Sequence, residues 1–191
     1  MDRVPRTPPQ TTGPFFPIGM LWDTALSTVA IAGEPGMRIR IEGRVLDGAG
    51  EPLRDVVVEI WQADAAGRYR HPADRWDGTP EEGFSGFGRS GIGADGCFTF
   101  DTIRPGRVPL ADGSLQAPHI VLQVFGRGLL DHLTTRIYFP GDPANATDPI
   151  LSRVPVDRRA TLVARPATAD GVVLRFDVVL QGPDETVFLD T

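Results

Sequence analysis

The sequence predicts an all-β fold: a β-sandwich of mainly antiparallel strands with long loops and an extended N-terminal arm. Three observations carry this. Proline (18) and glycine (22) are abundant and scattered through the 191 residues, which suits short strands joined by turns better than long helices. Residues 38–45, Arg-Ile-Arg-Ile-Glu-Gly-Arg-Val, alternate polar and apolar with the two-residue period of a half-buried strand. Val56-Val57-Val58-Glu59-Ile60-Trp61-Gln62-Ala63 is β-branched and aromatic, the composition of a central strand.

Taken in order, residues 1–35 hold six of the prolines and no sustained periodicity. They read as an arm, within one domain spanning 1–191, that is fixed by packing on something outside the chain. Residues 21–30 within the arm form a short helical candidate. The first strand over 38–45 ends at a turn, Asp47-Gly48-Ala49-Gly50, and the central strand follows over 56–63. Residues 64–95 then form a loop of about thirty residues, a length that is uncommon in compact domains and often functional. Further strands are expected at 97–102, 119–125, 136–139, 161–164 and 172–180, with a second short helical candidate at 149–153.

Bulk composition narrows the function. Hydrophobic residues make up 41% and charged residues 23%, ordinary for a globular protein. A net charge of −6 argues against nucleic acid or an anionic membrane as the main partner. The chain has no lysine, so all 19 basic residues are arginine; Schiff-base chemistry is excluded, and any anion must be met by a guanidinium fork. No apolar run approaches a membrane span, the N-terminus lacks the apolar core of a signal peptide, and a single cysteine, Cys97, cannot form an internal disulfide. A cytoplasmic protein is expected.

The common catalytic signatures are missing: no phosphate-binding glycine loop, no cysteine pair for zinc, no His-Glu metalloprotease helix, no nucleophile elbow. Three local features remain. Tyr69, between Arg68 and Arg70, is either a phenolate stabilised by positive charge or an amphipathic ring packed with its hydroxyl satisfied. His119 stands at the entry to an apolar strand, where a second histidine two residues on would face the same way and make a metal site; that place holds Val121, and a lone strand histidine is more often a core residue than a ligand. Arg136 is either a solvated edge residue or a bidentate clamp for a carboxylate.

An ordered set of segments gives these features a context. It runs Thr7-Pro8-Pro9-Gln10-Thr11-Thr12-Gly13-Pro14-Phe15-Phe16, Glu59-Ile60-Trp61-Gln62-Ala63-Asp64, Gly67-Arg68-Tyr69-Arg70-His71, Gly86-Phe87-Gly88-Arg89, Ile103-Arg104-Pro105-Gly106, Ala117-Pro118-His119-Ile120, Thr135-Arg136-Ile137-Tyr138-Phe139 and Arg175-Phe176-Asp177-Val178. Over nearly its whole length the chain resembles the intradiol ring-cleavage dioxygenases, and among them the heteromeric, protocatechuate-cleaving branch. The resemblance implies a non-haem Fe(III) held by two tyrosinates and two histidines, hard anionic donors that suit ferric iron, with O2 cleaving the catechol ring between its hydroxyls.

Carried over residue by residue, that ligand set is incomplete. Tyr69 and His119 match the first tyrosine and first histidine; the second tyrosine falls on Val108, the second histidine on Val121, and the family's active-site arginine on Gln116. Valine has no atom that binds iron, and two remaining donors hold a metal weakly. The pattern resembles the α-type chain, which implies that Fe(III) resides in a partner β subunit, that no metal is held here, and that the two chains form a hetero-oligomer of αβ units. The resemblance further implies that Thr11, Gly13 and Pro14 of the arm and Arg136 help bind protocatechuate over the partner's iron. Two alternatives stay open: a self-sufficient dioxygenase with unconventional ligands such as His71 or Asp112, and a purely structural sandwich.

Overall fold

Alternation over residues 38–46 produces two strands rather than one, β1 (Arg38–Gly43) and β2 (Val45–Leu46). The break falls next to Gly43, where a Cβ would run into the Phe176 carbonyl, so only glycine lets the backbones approach there. The remaining strands are β3 (Val56–Gln62), β4 (Phe87–Ser90), β5 (Phe98–Ile103), β6 (His119–Gly126), β7 (Leu133–Tyr138), β8 (Arg165–Pro166), β9 (Val173–Arg175) and β10 (Val178–Val179). The computed structural model describes residues 7–31, 33–74 and 84–190; residues 1–6 and 32 of the expected arm and 75–83 of the expected loop lie outside them.

Two four-stranded sheets, in the orders β5-β1-β9-β8 and β4-β3-β6-β7, face one another, with a small β10-β2 pair beside them. Most pairings are antiparallel; β1 with β9 and β2 with β10 are parallel. The fold matches the sandwich expected from the sequence. Between the sheets, Ile39, Ile41, Phe98, Phe100 and Leu174 pack against Val56, Val58, Ile60, Ile120, Leu122, Val124 and Ile137. Each such side chain removed from water contributes about 1.5–3 kcal/mol, and this inward row fixes strand register, because a one-residue slip would turn it to solvent. At one end the buried Gln62 ties the sheets together: its Nε2 donates to the Ile103 carbonyl (3.0 Å), and its Oε1 accepts from Thr102 Oγ1 (2.8 Å).

Several expectations are corrected by packing. β4 lies inside the stretch read as loop; Gly88 looks like a breaker, but a Cβ there would meet Val29 Cγ2 at 2.6 Å, so the glycine serves close contact in the core. Of the strand expected at 161–164, Thr161 and Leu162 end a 3₁₀ helix, Val156–Leu162, and Val163 forms a single bridge to Tyr138. The run 172–180 divides into β9 and β10 because its amides switch from the Glu42 carbonyl (Phe176 N, 2.8 Å) to that of Arg44 (Val178 N, 2.8 Å). Of the helical candidates, 21–30 contains one 3₁₀ turn, Thr24–Ser27, capped by Asp23, and 149–153 contains Leu151–Arg153. A short helix, α1 (Phe16–Met20), was not foreseen.

Nor is the expected arm extended throughout or wholly outside the body: Val29 and Ala30 are buried in the core, with bridges Thr28↔Asp101 and Ala30↔Phe84. The arm proper precedes them and leaves Phe15, Ile18 and Trp22 exposed. Among the described residues no helix is long and apolar enough to cross a membrane.

Candidate functional site

The site grows from the turn that ends β3. Asp64 Oδ1 accepts from the Ala66 and Arg68 amides (2.8 and 3.0 Å), while Oδ2 accepts from Arg68 Nε (2.8 Å). The turn closes through Gly67, whose φ of +81° suits glycine and whose missing Cβ makes room for the Arg107 carbonyl. This geometry throws Tyr69 back over the outer face of the second sheet, where its ring stacks on Trp61 at 5.8 Å and 13°.

The same face carries the other groups, because strand side chains alternate. β6 presents His119 and Val121; β7 presents Tyr138 opposite His119 and Arg136 opposite Val121; β3 places Trp61 on the other side of Val121. The Tyr69 hydroxyl lies 3.5 Å from His119 Nε2. His119 Nδ1 lies 2.8 Å from the Ala117 carbonyl, which only accepts, so Nδ1 carries the proton and Nε2 is the open lone pair. Arg136 Nη1 donates to Gln116 Oε1 (2.7 Å). Tyr138 donates its hydroxyl proton to Asp148 Oδ1 (2.9 Å), and Asp148 also accepts from the amides of Ala117 (2.7 Å), Ile150 (3.0 Å) and Leu151 (2.7 Å).

Electrostatics keep the two tyrosines and the histidine of this cluster neutral. Burial pushes the Tyr69 phenol up, against a smaller downward pull from Arg136. Burial is also the main cause that lowers His119 to about 4, with Arg136 adding to it. Burial raises Tyr138 strongly as well. At neutral pH the site therefore holds a phenol and a neutral imidazole turned toward each other, beside a guanidinium that no carboxylate pairs among the described residues.

The donor set does not fit ferric iron. Of the donors that the resemblance implies, Tyr69 and His119 face one another at 3.5 Å, and the positions it implies for the other two are aliphatic. Val108 is buried (7% exposed) and lines, with Trp61, Tyr69, His71, Asp74 and Pro109, a cavity of about 330 Å³; Val121 sits between Trp61 and Arg136. Of the unconventional ligands considered, His71 reaches that cavity, but its Nδ1 accepts from the Ala73 amide (3.1 Å). Asp112 is fully exposed and turned to Ser114 (2.6 Å).

The structure thus brings Tyr69, His119, Val121 and Arg136 together and adds three residues that sequence reading missed: Trp61, Tyr138 and Asp148. The signal for the first two was in the alternation, since Trp61 shares a strand face with Glu59, and Tyr138 with Arg136. Thr11, Gly13 and Pro14 are not part of this cluster. Thr11 Oγ1 accepts from the Gly128 amide (2.7 Å), in the hairpin at the far end of β6, and Phe16 approaches Phe125 at 6.1 Å. Seven strand steps separate His119 from Gly126, so Thr11 and His119 are more than about 20 Å apart in one chain.

Comparison with known proteins matches residues 11–182 to the Dioxygenase family, Dioxygenase_C. The protocatechuate 3,4-dioxygenase alpha chain of Burkholderia cepacia is 43% identical over the full length of both chains. The beta chain of that enzyme from the same organism is also 43% identical, across 81% of this chain and 69% of that one. Among solved structures, the dioxygenase domain of a dioxygenase carbohydrate-binding protein fusion from Streptomyces sp. SirexAA-E superposes with a TM-score of 0.60 at 28% identity, covering 97% of this chain and 93% of that one.

Proposed function

The chain belongs to the dioxygenase family, as an intradiol ring-cleavage dioxygenase of the α-chain type, and from that premise we propose that it is the iron-free subunit of a protocatechuate 3,4-dioxygenase. The observation that carries the proposal is the degenerate cluster itself. Tyr69 and His119 lie together, the resemblance assigns the other two donor positions to Val108 and Val121, and likeness to an alpha chain extends over the whole sequence. The family uses non-haem Fe(III), which when bound activates a catecholate toward O2; on this proposal it resides in a partner β chain, and the two chains form αβ units.

The arm supports the partnership. Phe15, Ile18 and Trp22 are 79%, 72% and 79% exposed, a concentration of large apolar side chains that suits burial in an interface. Thr11, Gly13 and Pro14 are exposed on the same segment and would lie over the partner's iron; nothing lies within 4 Å of where a Gly13 Cβ would be, leaving backbone open to a flat ring. Arg136 supplies the charge for the substrate's carboxylate, being half-buried and without an acidic partner among the described residues. On this proposal a pocket lined by both arm and Arg136 forms only in the assembly. A cytoplasmic setting, supported by a cysteine content of one, is part of the proposal.

The test is reconstitution. Expressed alone, the chain is expected to be colourless and inactive on protocatechuate; mixed with a β chain carrying both tyrosines and both histidines, it forms an active complex consuming one O2 per ring cleaved. Stoichiometric iron, a burgundy tyrosinate-to-iron band and turnover in the lone chain would overturn the proposal in favour of a self-sufficient enzyme. Full substrate affinity and turnover in a complex carrying Arg136→Ala would remove Arg136 from the substrate site.

A further inference from the structure

On the proposed function two metal ligands are missing, and this leaves a buried polar cluster that must be satisfied some other way. The cluster is organised around Arg136. Its strand position is directly opposite Val121 on β7, so the guanidinium rises beside the place from which a second histidine would reach a metal. Nη1 is held by Gln116 Oε1 at 2.7 Å, on the loop that leads to His119. Next along the same face, His119 and Tyr138 are cross-strand neighbours, with Tyr69 closing over His119 at 3.5 Å. The charge of Arg136 acts on all three rings. No carboxylate forms an ion pair with it among the described residues; the buried Asp148 is hydrogen-bonded to Tyr138 and three amides, and its charge opposes that of Arg136 at His119 and Tyr138 as the smaller influence.

We propose that the Arg136 guanidinium is the resident cation of the degenerate site: it takes over the electrostatic role of the missing metal and excludes any metal cation by repulsion. Ligand loss and charge replacement are then two separate barriers. Restoring Tyr and His at positions 108 and 121 removes only the first, because the new histidine would share a cross-strand pair with a fixed positive charge. A like charge beside two neutral donors in a half-buried site is worth about tenfold or more in cation affinity. The inference rests on the ligand positions of the proposed function and deepens that reading, while its cobalt test involves neither substrate nor partner chain.

The experiment uses the full chain and cobalt(II) alone as the probe, with bound metal counted after desalting and followed by its visible ligand-field bands. Val108→Tyr combined with Val121→His is expected to bind cobalt weakly. Adding Arg136→Gln is expected to bring binding close to one per chain, with a Kd at least about tenfold lower, and Arg136→Lys in place of Gln is expected to restore exclusion. Equal affinity with Arg and with Gln at position 136, or equal affinity with Lys and with Gln, overturns the proposal. The cavity beside Val108 has room for a larger ring; should that substitution nevertheless abolish the cooperative melt, Val121→His with and without Arg136→Gln poses the same question with three donors. There too, equal cobalt affinity in the two variants refutes it.

Discussion

Asp148 is the residue whose removal the structure makes most costly, and Asp148→Asn isolates the reason. The carboxylate is fully buried and accepts four hydrogen bonds: Tyr138 Oη, Ile150 N and Leu151 N on Oδ1, Ala117 N on Oδ2. Asparagine keeps the shape but turns one oxygen into an NH2 group. Its best orientation retains oxygen toward the three donors and sets NH2 against the Ala117 amide, donor to donor. One charge-assisted bond is lost with its buried amide left unsatisfied, about 1.5–3 kcal/mol, and three others lose the ionic component. The sum is about 3–5 kcal/mol. For a chain of this size that is about 10 °C in Tm. The assay is thermal and urea unfolding of the full chain at neutral pH, with hydrogen exchange of the Ala117 amide as the local readout. Tyr138→Phe, which removes one bond of the four, is expected to cost about 1 kcal/mol. An Asp148→Asn chain within about 0.5 kcal/mol of the wild type, its Ala117 amide still protected, would refute the reasoning and leave Asp148 a bystander to the site.

Other expectations follow from single features. His119 has a folded pKa of about 4 against an unfolded value near 6.5, so between these the unfolded chain binds the extra proton: stability is complete above about pH 6.5 and falls by about 3 kcal/mol toward pH 4. Urea midpoints across that range should show this slope, and His119→Gln should remove it. Gly67→Ala places a Cβ on the Arg107 carbonyl at positive φ, and is expected to cost about 2 kcal/mol or more; an unshifted melt would mean the 64–68 turn relaxes freely. Tyr69→Phe keeps the Trp61 stack and removes only a 3.5 Å hydroxyl contact, so it should cost under about 1 kcal/mol and leave turnover of the reconstituted complex unchanged. A tenfold loss of kcat in that variant would show that Tyr69 acts in the chemistry. Thr11→Ala releases the arm from Gly128, and in the complex is expected to raise KM several-fold with little change in kcat; an unaltered KM argues that the arm is held by its apolar side chains alone.

Much of the architecture was legible because it rests on local periodicity. Strands β1, β3, β5, β6 and β7 coincide with runs of alternating or β-branched residues, and the inward row from Ile39 to Ile137 follows from that alternation alone. Where the reading failed, a contact distant in sequence decided the outcome. Gly88 belongs to a strand because Val29, Ile60 and Phe100 close over it. Residues 161–164 have strand-like composition, but Thr161 and Leu162 complete a 3₁₀ helix, and Val163 alone forms a bridge, to Tyr138. Val29 and Ala30 look like the end of a loose arm and are core residues.

The site divides along the same line. Sequence by itself determined that Tyr69 and His119 are available as donors and that valine at 108 and 121 has no atom to offer a metal in any conformation. It also determined the supply of charge, arginine only, and through the two-residue period it put His119 with Val121, and Arg136 with Tyr138, on common faces. It could not say that Val121 and Arg136 stand opposite each other, because register between strands is set by the packed core and not by either strand alone. Nor could it say whether Tyr69 is a phenolate or a packed phenol. Two flanking arginines argued for charge, but in the folded chain Arg68 pairs with Asp64 and Arg70 reaches the Phe84 carbonyl, while Trp61 and the sheet bury the ring. Burial outweighs the pull of Arg136, and that balance exists only once the loop has folded back over the sheet.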